Sequence, residues 1–347
     1  MSKYKHTLPK GFMMEELLRS YFIKAGYYVI RGVPFSYEGF DVTDIDLWLY
    51  SRTSSVSREI TLVDAKNKKT PQAIERIFWV QGLRIATKAT NAIVATTDRR
   101  QEVKDFGRKL DVLVLDGNFL TKLANSDSPN INRLSDEEFF TKIDDYSLSK
   151  LDGNWRGRIL SSKGLLAKPL SFDSCNEWIS HGKFFAEQSI TQEIQHETAL
   201  RCLYLICSFI SISIDYCMKE LSFLDQPERN ILIKDGFTYG SRGSSGMKKI
   251  LDISMRLVEE HANDGLAISQ QVRLNVENQL SQLNTTILGD FFSKNDVAMT
   301  LFSVAKEFEH LAMSRDFLSH KTASSNLRSI LFCLLDYWEI DRVMFSK

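Results

Sequence analysis

The sequence predicts an α/β domain built on a mixed sheet, followed by an all-α domain. Two observations carry this. Up to about Gly117 the apolar spacing runs helix, three strands, helix, strand, helix, strand, and from Thr191 onward it is helical throughout. The first strands form an antiparallel hairpin and the later ones βα units, which together require a mixed sheet with helices on its faces.

The first helix is predicted over Lys10 to Ala25, where Phe12, Leu17, Leu18, Tyr21 and Phe22 recur every three or four positions and Gly26 closes the end. Tyr27 to Arg31 reads as a strand, and Gly32, Pro34 and Gly39 as a loop. The two hairpin strands turn in the serine-rich Ser51 to Ser57. Pro71 sits just inside the next helix, whose apolar positions include Ile74, Ile77, Phe78, Val80, Leu83 and Ile85. Ala92 to Thr96 is a short apolar strand suited to burial on both faces. A helix over Gln101 to Leu110 and a strand over Val112 to Leu115 complete the set.

The polar stretch from Asn125 to Ser135 predicts a boundary. The expected domains are 1–124, a connector over 125–189, and a helical domain over 190–347. Within the last, helices are predicted over Glu193 to Leu221, Ser245 to His261, Val272 to Leu288, Asp296 to Leu318 and Ala323 to Phe345.

A chain of 347 residues with 43% hydrophobic and 25% charged side chains is an ordinary globular composition with room for two cores. Its 44 basic and 44 acidic residues cancel, so contact with phosphate must come from a local patch. Five cysteines show no CxxC pair or zinc spacing, and three lie in one apolar helix, which points to a reducing, cytoplasmic setting. Met1 to Lys10 carries no signal-peptide core, and the apolar run Cys202 to Ile214 falls short of the roughly twenty residues of a membrane span.

The segments Thr43-Asp44-Ile45-Asp46-Leu47-Trp48 and Ile60-Thr61-Leu62-Val63-Asp64-Ala65-Lys66 carry the chemistry. Residues at i and i+2 on a strand share a face, so Asp64 and Lys66 project together. Carboxylates beside an ammonium can hold a hard divalent cation and neutralise a phosphate. The competing reading is a solvated hairpin whose charges pair with one another, an arrangement worth little. Against it, Asp64 ends a strongly apolar strand, where an unpaired carboxylate is costly.

With Met14-Glu15-Glu16-Leu17-Leu18 ahead of Gly26-Tyr27, Asp46 on the second strand and Asp64-Ala65-Lys66 on the third, this region resembles the PD-(D/E)xK restriction-endonuclease-like superfamily. No proline precedes Asp46, a departure from the motif, and the resemblance covers a third of the chain. It implies Mg²⁺ or Mn²⁺ held by Asp46, Asp64 and the Ala65 carbonyl. It further implies Lys66 orienting water or neutralising the phosphate, and Glu15 as accessory ligand. Asp44 is the alternative to Asp46, which is favoured because an apolar strand follows it. Lys68, Lys69, Arg76, Arg99 and Arg100 are candidate contacts to the DNA backbone.

Near the C-terminus, Arg315-Asp316-Phe317-Leu318-Ser319-His320 lies between two apolar helices and resembles the R-x4-6-H signature of HEPN domains. That resemblance implies metal-independent RNA cleavage, with His320 as general acid or base and Arg315 on the phosphate, at a site shared by two protomers of a homodimer. An Arg and a His at a helix end also commonly serve its last carbonyls. Gly240 to Lys249 is glycine-rich ahead of a helix but lacks the P-loop's closing Gly-Lys-Ser/Thr, and reads as a loop capped by Ser244 or Ser245.

The sequence therefore predicts a Mg²⁺-dependent endonuclease acting on DNA, in restriction or phage defence by analogy of fold. Its alternatives are a HEPN-type ribonuclease with a nucleic-acid-binding N-terminal domain, and a non-catalytic interaction subunit.

Overall fold

A computed structural model describes residues 10–67, 72–126, 130, 132–145 and 149–346. It divides into two compact units, Met1–Pro169 with His310–Leu318, and Leu170–Glu309 with Ser319–Lys347. The division falls at Pro169, not at 124 or 190.

The first unit opens with helix α1 (Lys10–Lys24), followed by strands β1 (Tyr28–Tyr37), β2 (Phe40–Arg52) and β3 (Arg58–Lys66). Gly26, at φ +94°, closes α1 in the left-handed region, with the Tyr27 N–H donating back to the Phe22 carbonyl. Strand β1 runs six residues past the predicted Arg31, through Gly32 and Pro34. Proline is tolerated because β1 is an edge strand. A two-residue turn at Glu38 and Gly39, both with positive φ, joins it to β2.

Next come α2 (Ala73–Thr87), β4 (Asn91–Thr96), α3 (Gln101–Lys109), β5 (Val112–Leu115) and α4 (Gly117–Ser126). Pro71 lies outside the described residues. The sheet order is β1-β2-β3-β4-β5, antiparallel through β3 and parallel from β3 to β5. This is the mixed sheet expected from the order of elements.

Alternation along the strands builds two packed faces. Val29, Leu47, Leu49, Val63, Ala65, Ile93 and Ala95 form one core with Leu17, Leu18 and Phe22 of α1 and Leu120 and Leu123 of α4. On the other face α2 packs against β3 and β4, and α3 against β5. There Gly107 lies so close to β5 that an added Cβ would meet the Val112 carbonyl oxygen at 2.7 Å.

The expected connector is structured. Helices α5 (Asp136–Asp144) and α6 (Trp155–Gly164) belong to the first unit, and α6 packs on β1. Ser135 and Glu138 form a reciprocal capping box at the start of α5. Residues 310–318 join this unit through the Leu134 N–H, which donates to the Met313 carbonyl, and an isolated bridge from Arg133 to Ser314.

The second unit is helical: α7 (Phe172–Thr191), α8 (His196–Leu221), α9 (Gln226–Tyr239), α10 (Gly243–His261), α11 (Gly265–Ser281), α12 (Thr285–Phe292), most of α13 (Asn295–Met313), α14 (Ser325–Tyr337) and α15 (Arg342–Phe345). A 3-10 turn over Glu193–Gln195 leads into α8. The helix predicted over Val272 to Leu288 is two, broken at 282–284, and that over Ala323 to Phe345 is broken after Tyr337. In the first case Leu280, Leu283 and Ile287 keep a helical spacing across the break, which hides it. Helix α8 is the centre of the unit, with Tyr204, Phe209, Cys202 and Cys207 buried and Trp178 of α7 against Phe209. The run Glu193–Leu221 has the length and apolarity to cross a membrane, and 89% of its most apolar window is buried inside the protein.

Candidate active site

The register of the central hairpin brings the predicted acids together. Leu47 pairs with Val63 at the end of the β2–β3 ladder, and Asp46 and Asp64 are the next residues beyond that pair, close enough for Asp64 to act on Asp46 electrostatically. The Asp46 carboxylate accepts the Ala65 N–H at 2.7 Å, and the Lys66 ammonium lies 3.5 Å from the same oxygen. Asp46, Asp64 and Lys66 therefore form one cluster at the end of β3, with Asp64 buried and Lys66 partly open to solvent. Asp44 is exposed and pairs across to Pro34, outside this cluster.

Burial raises the pKa of Asp46; Lys66 and the Ala65 N–H oppose it, and Asp64 adds to it. Glu15 is also raised, chiefly by burial, with Arg31 opposing and Asp46 adding. Its carboxylate accepts from Arg31 Nε at 2.7 Å. Asp64 is held by Arg76 of α2, whose Nε donates to Oδ2 at 2.8 Å while Nη2 bonds the other oxygen. Burial works against the Arg76 charge, but Asp64 outweighs it and lifts the guanidinium above its usual range.

Among the described residues, no three His, Cys, Asp or Glu side chains are gathered closely enough to hold a metal as they stand. The donor types at this strand end, the carboxylates of Asp46 and Asp64 and the Ala65 carbonyl, are oxygens of the kind a hard divalent cation takes.

Behind Glu15 lies a buried ionic network that sequence reasoning missed. Arg31, 4% exposed, donates to Glu15, to Glu16 at 2.9 Å and to Glu137 of α5 at 2.7 Å. Arg19 joins Glu16 and Asp136, and Lys163 of α6 joins Asp136 at 2.5 Å. Burial would raise the Asp136 carboxyl, but Lys163, Arg19 and Arg31 together hold it far below the usual range. The legible signal was an arginine inside an apolar strand and an S-x-x-E capping pattern in the supposed connector.

Of the candidate DNA contacts, Lys68 and Lys69 lie outside the described residues. Arg100 is exposed and pairs with Asp98, and Arg99 donates to the Thr121 hydroxyl at 3.1 Å. Both arginines are exposed, as contacts to a DNA backbone would need.

The two ends of the R-x4-H string belong to different units. In the first, Arg315 donates to Glu138 and to the Arg133 carbonyl. In the second, His320 is 2% exposed, with Nδ1 2.9 Å from the Tyr204 hydroxyl and its ring against Phe332 and Phe345. Burial lowers its pKa to about 4, so the imidazole is neutral at pH 7. His310 lies exposed on α13. In the glycine-rich stretch, helix α10 begins at Gly243 without a serine cap; instead Asp235 accepts the Ser244 N–H and Asp173 that of Ser241.

Compared with protein-family models, with curated proteins and with solved structures, the chain matches none.

Proposed function

We propose that this protein is a metal-dependent endonuclease that hydrolyses DNA phosphodiester bonds, with Asp46, Asp64 and Lys66 as its centre. The observation that carries the reading is the Ala65 N–H bond to Asp46, which joins the acid of β2 to the Asp64-x-Lys66 element of β3. The order of elements, helix, hairpin, helix and buried parallel strand, is also the one that the restriction-endonuclease-like resemblance requires.

In this reading Asp46, Asp64 and the Ala65 carbonyl hold Mg²⁺ or Mn²⁺, and Glu15 assists. The ion supplies charge neutralisation and an acidified water. Lys66, the partly open cation of the cluster, faces the scissile phosphate and stabilises charge as it builds on the phosphoryl oxygens. Arg99 and Arg100 contact the backbone of the duplex. The role in restriction or phage defence rests on analogy of fold.

The test is a substrate panel: duplex DNA, single-stranded DNA and RNA, each with Mg²⁺, Mn²⁺ or EDTA. Cutting of DNA that EDTA abolishes supports the reading. Cutting of RNA that survives EDTA overturns it.

A further inference from the structure

Resting on that reading, we propose that Arg76 is the resident counter-ion of the metal site: it holds Asp64 when no divalent cation is bound and must leave for one to bind. Three observations lead there.

The first is the pairing itself. Asp64 is buried, and a buried carboxylate needs a compensating charge in the absence of metal. Lys66, its neighbour on the strand, turns its ammonium to Asp46 instead. Arg76 takes both Asp64 oxygens with a two-pronged fork, the geometry in which guanidinium binds carboxylate best. A divalent cation on Asp64 would share its oxygens with a fixed positive charge, so the two compete.

The second is the place of Arg76 in its helix. It lies one turn from the start of α2, where the helix dipole disfavours a cation, and Gln72 provides no side-chain cap. Asp64 is what keeps the charge there. The third is an alternative seat for the guanidinium. Its carbon lies 5.6 Å from the ring centre of Trp79, which is 40% exposed, and the arginine side chain itself is 26% exposed. Released from Asp64, the guanidinium can stay over the indole at the protein surface, where a DNA phosphate can take it.

The experiment is calorimetric titration of metal-free protein with Mn²⁺, without DNA, for wild type, Arg76→Ala, Arg76→Lys and Asp64→Asn. Arg76→Ala is expected to bind Mn²⁺ about tenfold tighter than wild type, a modest coupling between competing ligands. Arg76→Lys, which keeps the charge but loses the fork, is expected to fall between them and remains informative if the alanine variant does not fold. Equal or weaker binding in both Arg76 variants, with wild-type binding abolished in Asp64→Asn, would overturn the counter-ion role and leave the nuclease reading standing. No Mn²⁺ binding by any of the four at millimolar concentration would overturn both.

Discussion

Asp46 of β2 accepts the backbone N–H of Ala65 in β3 at 2.7 Å, at the residue between Asp64 and Lys66. That bond places an acid against the next strand at a cost, since burial leaves Asp46 raised above its ordinary value. The folded protein therefore binds the Asp46 proton more tightly than the unfolded chain does. Its stability falls as pH rises from the ordinary value of 3.8 towards the raised one.

Asp46→Asn should remove this penalty while keeping an oxygen for the Ala65 N–H. We expect a melting temperature about 2–4 °C higher than wild type at pH 7 without metal. Mg²⁺ should raise the melting temperature of wild type and not of the variant. A thermal melt with and without Mg²⁺ reads both.

Metal affinity should depend on pH over a range above that of free carboxylates. Asp46 and Glu15 are both raised by burial, so protons compete with metal at pH values where an exposed Asp or Glu is already ionised. The sign is loss of Mn²⁺ binding as pH falls, beginning earlier than the ordinary 3.8 and 4.5 would give. Titrations at successive pH values measure it.

Arg31→Ala should destabilise the protein by about 3–5 kcal/mol, the range for removing one partner from a buried ionic network. It strands Glu15 and Glu137, which come from two different helices, and leaves Glu16 with Arg19 alone of its two arginines. Urea denaturation checks the size. A loss below about 1 kcal/mol would mean that the network does not hold α1 and α5 to the sheet.

His320 should make the protein sensitive to mild acid. Burial holds its imidazole neutral down to about pH 4, whereas in the unfolded chain it takes a proton near the ordinary 6.5. The unfolded state gains protons first, so stability is intact above 6.5 and lost as pH falls towards 4, by an amount on the order of 3 kcal/mol. In His320→Phe that dependence should flatten. Metal-independent RNA cleavage that His320→Ala abolishes would instead favour the ribonuclease alternative.

The legible parts of the molecule were those with a local signature. Period-two spacing places Asp64 and Lys66 on one face, and the spacing of Leu17, Leu18 and Phe22 gives α1. Gly32 and Pro34 ended β1 too early, because an edge position, which excuses a proline, exists only once the sheet order is known. The partners of Arg31 were hidden for the same reason: Glu137 lies 106 residues along the chain, and no periodicity links the two. Polar residues from 125 to 135 looked like a linker, yet Ser135 and Glu138 at its far end form the cap of a packed helix.

Lys66→Ala tests the central claim most directly, through single-turnover cleavage of labelled duplex DNA in Mg²⁺ with Mn²⁺ binding measured on the same preparations. The expected variant is folded, binds Mn²⁺ as wild type does and cleaves at least about 100-fold more slowly, the loss typical of removing one transition-state contact. Cleavage by Lys66→Ala at the wild-type rate would contradict that claim.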